Sequence, residues 1–390
     1  MRKQLLLKKH EDKRIRSGHL WVFSNEVKEV RGDPQAGDIL ELRDHAGKFL
    51  GKGFYHPKSL IALRLLTQDD EDIDFQFFER RIHLAFQMRK KFYPSSGTFR
   101  LVHGESDFLP GLVVDRYEEY ISIQTFSLGM EMRTTLICDV LEPLLHPKGI
   151  VERNESPLRE LEGMESRKGV LRGTISLVTI TESDVKFEID LLEGQKTGFF
   201  LDQRENRLHV RQLAKDRRVL DCFCNDGGFA LHAARAGASK VLGIDVSASA
   251  VRRARNNAAI NELGPHCTFA EGDAFEFLIQ AAADGETYDL IILDPPSFTK
   301  SRKNIASAKR GYKEINANAL RLLSPGGILA TASCSHHITR DDFAAVIASS
   351  AAEARRKVQL IDWRGAAPDH PVLPAMPETE YLKFALCHVQ

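Results

Sequence analysis

Residues 218–246, RVLDCFCNDGGFALHAARAGASKVLGIDV, decide the fold. RVLDCF is a short apolar run suited to a buried strand, the paired glycines at 227 and 228 open a helix that Gly237 closes, and KVLGIDV resumes as a strand. The alternation continues outward. SASAVRRARNNAAINELG reads as a helix with Ser at its start and Gly at its end, followed by TFAEGD, AFEFLIQAAA, YDLIILD, YKEINANALRLL and GILATASC as strand, helix, strand, helix and strand. From about Val185 the chain is therefore expected to be α/β, a doubly wound, Rossmann-like and mostly parallel sheet. Ligands of such sheets bind at the carboxyl ends of the strands.

Upstream the texture differs. Between Gly37 and Thr67 short period-two runs alternate with turn residues, which predicts a small β-rich module, and the acidic TQDDEDID that follows is the first candidate linker. Phe75 to Glu182 mixes a basic helix with strand-like GLVVDRY and YISIQTF, an α+β pattern. The expected domains are 1–70, 71–184 and 185–390. A length of 390 residues with 43% hydrophobic content suits two or three domains with cores of their own and excludes a disordered or collagen-like chain. No apolar run approaches the roughly 18 residues that cross a bilayer, and the start MRKQLLLKKHEDKRIR is too short in its apolar part for a signal peptide. A soluble cytoplasmic protein is expected, with no membrane partner. Six cysteines without paired spacings read as reduced thiols, with neither a disulfide framework nor a zinc ribbon, so no metal is expected.

The 54 basic and 54 acidic residues cancel in sum but are segregated along the chain. Bases gather near the N-terminus (Arg2 to Arg16), on the helix carrying Arg80, Arg81, Arg89, Lys90 and Lys91, and over Lys300, Arg302, Lys303, Lys309, Arg310 and Lys313, a stretch without an acid. Local excess is what neutralises phosphate.

The strand ends carry the chemistry. Asp221-Cys222-Phe223-Cys224-Asn225-Asp226-Gly227 follows the first strand, and the G-x-G-x-x-G spacing of nicotinamide enzymes is absent. Asp245 ends the second strand, placed for ribose hydroxyls, and Asp273 follows the third, placed for an adenine amine; each alone reads equally as a helix cap. Together they describe a nucleoside across the sheet edge with no pyrophosphate, as S-adenosylmethionine would lie. Asp294-Pro295-Pro296-Ser297-Phe298 follows the fourth strand as a rigid loop that can offer a carboxylate and a stacking ring. Cys334 ends the fifth, between Ser333 and Ser335-His336-His337, where a thiol can be an activated nucleophile or inert packing.

Across nearly the whole chain the sequence resembles the PUA-containing bacterial S-adenosylmethionine-dependent methyltransferases that make 5-methylcytosine in large-subunit ribosomal RNA. The stretches that carry the resemblance are HLWVFSNEV, GKGFYHPKS, SDFLPGLVVDRY, EGQKTGFFLDQRENR, GGFALHAA, DPPSFTKSRK with RGYKEIN, SCSHH and DHPVLPAMPETEYLK. It implies a PUA RNA-binding domain, a central α+β domain and a class I methyltransferase domain, often as a homodimer. It further implies that Phe199, Asp202, Gln203 and Arg204 close over the cofactor, that Asp221, Phe223, Asn225 and Gly227 border its methionine part, and that Asp245 and Asp273 hold the nucleoside. Asp294 would bind the target base and border the cofactor, Cys334 would be the nucleophile, and Pro295, Pro296, Phe298, Lys300, Arg302 and Lys303 would meet the RNA. The family usually reads S-Y-T-G-G-F where this chain has Cys224-Asn225-Asp226-Gly227-Gly228-Phe229, so Asp226 is an added carboxylate.

Carbon 5 of cytosine is not nucleophilic until something adds at carbon 6, which is the reason for a thiol. The competing readings are methylation of an exocyclic amine of guanine or adenine, which needs no nucleophile, and a non-catalytic RNA-binding factor.

Overall fold

The computed structural model describes residues 2–194, 197–299 and 302–390. The chain separates into two units, Met1–Ile180 with Ile189–Leu201 and Pro368–Thr379, and Thr181–Glu188 with Asp202–Ala367 and Glu380–Gln390.

In the first unit the period-two runs become strands Ile39–Arg43, Phe49–Tyr55 and Ile61–Thr67, which join Gln4–Leu7, Trp21–Phe23 and Val27–Arg31 in a six-stranded sheet. Along Ile39–Arg43 only Leu40 and Leu42 are buried, as alternation on a sheet with one covered face requires. They meet Leu5, Leu7, Val22, Leu63 and Leu65 in a small core. A separate five-stranded sheet, from Thr98–His103 to Arg167–Gly173, shares a second core with helix Phe75–Phe92 through Phe77, Phe78, Ile82, Phe99 and Leu101.

The acidic stretch is tied to its surroundings: Lys52 pairs with Asp70 at 2.8 Å, Thr67 Oγ1 donates to Glu71 at 2.7 Å, and Asp74 caps the helix by accepting from the Phe77 amide at 3.1 Å. Arg89, on the basic helix, is fully buried with both guanidinium arms on Asp107 at 2.5 and 2.6 Å. A buried bidentate pair organises structure and is closed to phosphate.

The second unit holds a seven-stranded sheet of β1 (Arg218–Cys222), β2 (Lys240–Asp245), β3 (Cys267–Glu271), β4 (Tyr288–Leu293), β5 (Leu323–Ser333), β6 (Val358–Arg364) and β7 (Lys383–Val389). Its helices are α1 (Arg204–Gln212), α2 (Gly228–Arg235), α3 (Ala248–Ile260), α4 (Ala274–Ala283), α5 (Ile305–Leu322) and α6 (Arg340–Ala354). The strand order is β3-β2-β1-β4-β5-β7-β6; the first five are parallel, and β7 runs antiparallel to both neighbours. β4 is buried at every position but Asp289, which is why YDLIIL reads as a continuous apolar run. Each such side chain removed from water stabilises the fold by roughly 1.5–3 kcal/mol. The order reverses between β1 and β4, and this switch point brings their carboxyl ends together, Cys222 standing opposite Leu293. α6, β6 and β7 lie beyond the last strand the alternation predicts. α6 still shows a helical face, with Phe343, Val346, Ile347 and Ser350 buried at the spacing of one stripe. No helix among the described residues is long and apolar enough to cross a membrane.

Candidate active site

The loop after β1 is held in an uncommon backbone state. Phe223, Asn225 and Gly227, at alternate positions, have φ of +65°, +45° and +83°, a left-handed conformation that residues other than glycine adopt at a cost. At Gly227 a Cβ would stand 3.0 Å from Phe269 and 3.3 Å from Ala254, so a side chain there would press on its neighbours as well as strain φ. The turn lets α2 begin over Asp221, whose Oδ2 accepts from the Ala230 amide at 2.9 Å. Asp221 Oδ1 is buried and has no hydrogen-bond partner among the described residues. Burial, with Asp294 and Asp245 adding negative charge nearby, holds this carboxyl well above the usual range.

Asp245 ties two loops together, accepting from the Asn225 amide through Oδ2 and from the Ser247 amide through Oδ1, each at 2.9 Å. Asp273 caps α4, accepting from Phe275 and Glu276 at 2.8 and 3.2 Å. Each of these oxygens has a second lone pair, so capping and ligand binding are compatible. The added carboxylate of Asp226 is taken up from behind: it is nearly buried and pairs with Arg253 of α3 at 2.7 Å, while Asn257 donates to its backbone carbonyl at 3.1 Å. Burial raises its pKa, and the guanidinium opposes that rise.

Of the residues expected to close over a cofactor, Asp202 and Gln203 end the 3₁₀ turn that leads into α1 and Arg204 begins α1 in this unit, whereas Phe199 belongs to the first unit, where its amide donates to the Tyr117 hydroxyl at 3.0 Å. Asp202 accepts from the Tyr381 hydroxyl at 2.6 Å, and Gln203 accepts from Asn206 at 2.7 Å. Beneath them lies a buried charge network that the motifs did not flag. Arg207 grips Glu182 with two bonds of 2.6 Å, and His232 donates to the same carboxylate at 3.0 Å. Burial alone would raise the pKa of Glu182, but Arg207 and His232 hold it well below the usual range; burial in turn lowers that of His232.

At the ends of β4 and β5 two loops clasp. Cys334 Sγ donates to the Pro295 carbonyl at 3.8 Å, Ser297 Oγ meets Ser335 Oγ at 3.0 Å, and the Tyr312 hydroxyl meets Ser335 Oγ at 2.9 Å. Asp294 is half-buried beside them, Pro295 is buried and Pro296 exposed. Phe298 already has aromatic partners within the unit: its centroid lies 4.5 Å from Tyr312 and 6.0 Å from Phe275. A Cβ at Gly311 would stand 3.2 Å from that ring, so glycine in RGYKEIN lets Phe298 lie on α5. Cys334 alone among the six cysteines is not buried, and burial pushes the Cys138 thiol to about 11 and Cys387 to about 12. Lys383, at the head of β7, was missed from sequence; a lysine opening an otherwise apolar strand is the available signal. It is buried, and its ammonium donates to the carbonyls of Ser335 and Tyr381, each at 2.7 Å.

The basic stretch after Phe298 is less free than its sequence suggests. Lys309 pairs with Asp342 at 2.5 Å and Lys313 with Glu353 at 2.9 Å, both acids supplied by α6. Lys303 is exposed, Arg302 begins a short 3₁₀ turn, and Lys300 lies outside the described residues.

Residues 5–68 match a PUA-like domain and residues 168–378 match an S-adenosylmethionine-dependent methyltransferase. The chain is 39% identical to "Ribosomal RNA large subunit methyltransferase I" of Enterobacter sp. (strain 638), over 99% of both sequences. It is 40% identical, with the same coverage, to the protein of that name from Shewanella denitrificans. Among solved structures it superposes over the full length of both chains on SMU.776, assigned as a methyltransferase and complexed with SAH, with a TM-score of 0.86 at 20% identity. A Streptococcus mutans protein assigned as SAM-dependent gives 0.85 at 20% identity, again over both full lengths.

Proposed function

The chain belongs to the S-adenosylmethionine-dependent methyltransferase family that includes the ribosomal RNA large subunit methyltransferases I, and from that premise we propose that it forms 5-methylcytosine in large-subunit ribosomal RNA through a covalent Cys334 adduct. The observation that carries the reading is the position of Cys334, the one cysteine not buried, on the loop clasped to Asp294-Pro295-Pro296.

The residues present suit the cofactor. Asp221 Oδ1, without a partner among the described residues, can accept from a cationic amine, Asp245 can accept from ribose hydroxyls and Asp273 from an adenine amine, while Asp202, Gln203 and Arg204, where the chain enters α1, join the set the resemblance names. S-adenosylmethionine, when bound, supplies the electrophilic methyl carbon that carbon 5 of the base accepts. Asp294 holds the polar edge of the cytosine. The Cys334 thiolate gives an electron pair to carbon 6, and the π electrons of the 5,6 double bond move toward carbon 5, which becomes the nucleophile. After methylation a base removes the proton from carbon 5; that electron pair restores the double bond and expels the thiolate. His336 and His337 follow the nucleophile after Ser335, and the His336 ring lies tilted with its centroid 5.5 Å from that of Tyr381. The target base must leave its stack, and the resemblance assigns Pro295, Pro296, Phe298, Lys300, Arg302 and Lys303 to contact with the RNA.

The PUA-like match at 5–68 supports an RNA-binding role for the first of three domains divided at 70 and 184, a cytoplasmic location follows from the ribosomal substrate, and a homodimer remains part of the proposal, to be read by sedimentation. The deciding experiment uses RNA carrying 5-fluorocytidine, whose carbon 5 has no proton to lose. The protein should form an SDS-stable complex with it, and Cys334→Ala should form none and lose about a thousandfold or more in turnover. Retained methylation by the variant would sink the adduct mechanism in favour of amine methylation.

A further inference from the structure

We infer that Lys383 is the electrostatic partner of the Cys334 thiolate, a buried cation built into the strand beside the nucleophile to hold it in its reactive form. The inference rests on the reading of Cys334 as nucleophile.

β7 reads KFALCHV and is apolar where it crosses the sheet. A charged amine buried there is costly unless an anion or hydrogen bonds compensate it. The hydrogen-bond partners of Lys383 are neutral, the carbonyls of Ser335 and Tyr381, and among the described residues it makes no ion pair with a carboxylate. Those two carbonyls fix the ammonium in place. Lys383 stands opposite Ser333 in the β5–β7 register, so the residue following its partner is Cys334, and the Ser335 carbonyl it grips is the next one along. The loop that carries the thiol is therefore held by the same amine that would face its charge.

The other groups around this corner do not substitute for it. Asp342 of α6 acts on Lys383 only at longer range and is committed to Lys309 at 2.5 Å. Glu380 also acts from a distance and reaches toward Arg340 at 3.3 Å. The Tyr312 hydroxyl of α5 is turned to Ser335 Oγ and, largely through burial, is held protonated above its ordinary value. The His336 ring packs, tilted, against Tyr381. Burial draws the Lys383 ammonium down to about 8, and a negative Cys334 opposes that fall. Coupling between two groups is mutual, so an ammonium favoured by the thiolate favours the thiolate in return.

The test reads the thiol itself, apart from methyl transfer. In the full-length protein without RNA, the rate of Cys334 carbamidomethylation by iodoacetamide is followed against pH by mass spectrometry. Lys383→Met should move the midpoint of that profile upward by about one unit or more and slow alkylation about tenfold at neutral pH. Lys383→Arg, which keeps the charge, should recover a large part of the shift. S-adenosylmethionine affinity by calorimetry should stay within about twofold of the parent, which also reports that the variants fold. If the Met variant does not fold, Lys383→Gln carries the same expectation. Profiles for the Met or Gln variants that superimpose on the parent's would overturn the pairing. Methylation retained by Cys334→Ala would instead remove the nucleophile reading and leave the alkylation result as evidence on the pair alone.

Discussion

The two halves of the seven-stranded sheet use polar side chains differently. At the ends of β1, β2 and β3 nearly every acid is also a structural tie: Asp245 joins two loops, Asp273 caps α4, Asp226 is matched by Arg253, and Asp221 holds the start of α2 while one of its oxygens has no partner among the described residues. At the ends of β4 and β5 the chemical groups, a half-buried thiol and a lysine that pairs with no carboxylate among the described residues, serve packing poorly. On the proposed function, the ligand half is assembled from residues the fold needs anyway, whereas the catalytic half carries groups that the fold alone would not choose. Breaking an ion pair in the first half should therefore cost stability, whereas replacing Asp221, whose charge the fold does not favour, should cost ligand affinity, and replacing Cys334 or Lys383 should cost chemistry.

The largest stability effect should come from Arg253→Met. It leaves Asp226 buried and unpaired, at a cost of about 3 kcal/mol near neutral pH in chemical denaturation. The loss should shrink as pH falls, because a protonated Asp226 needs no cation, and Arg253→Met with Asp226→Asn should recover most of it. A single variant as stable as the parent would break the account of the β1 loop.

Asp221→Asn comes next. The folded state holds the Asp221 proton to higher pH than an unfolded carboxyl with its ordinary value of 3.8. Its contribution is fully present below pH 3.8 and is lost as pH rises through the raised value. Asn escapes that loss, so thermal melts should find the variant at least as stable as the parent at pH 8, while calorimetry finds S-adenosylmethionine bound about tenfold more weakly. Undiminished cofactor affinity would remove Asp221 from the binding set.

The smallest effect separates two lysines of one cluster. Lys303→Gln should weaken RNA binding about threefold and lower the salt slope by about 0.7, the value for one single-strand phosphate contact. Lys309→Gln should do less, since Asp342 already holds that ammonium. Filter binding at two salt concentrations reads both, and equal losses would show that the ion pair opens for RNA.

Much of this was legible in sequence. The strands and helices around Asp221, Asp245, Asp273, Asp294 and Cys334 follow from periodicity and from turn residues, which act over a few positions. What failed to show is equally specific. Phe298 reads as a free stacking ring but packs on Tyr312, Arg89 reads as surface charge but is locked on Asp107, and Lys309 reads as unneutralised but meets α6. In each case the partner lies on another element, where no local pattern announces it.

The sequence by itself determined the alternating α/β fold, the order of the strand-end residues and the family, because hydrophobic period, caps and motif spacing are short-range properties of the chain. Only the tertiary structure decided which charges remain available and set Lys383 beside Cys334. That pairing requires an antiparallel β7 to lie against β5, and strand register is fixed by packing and backbone hydrogen bonds between elements far apart in the chain.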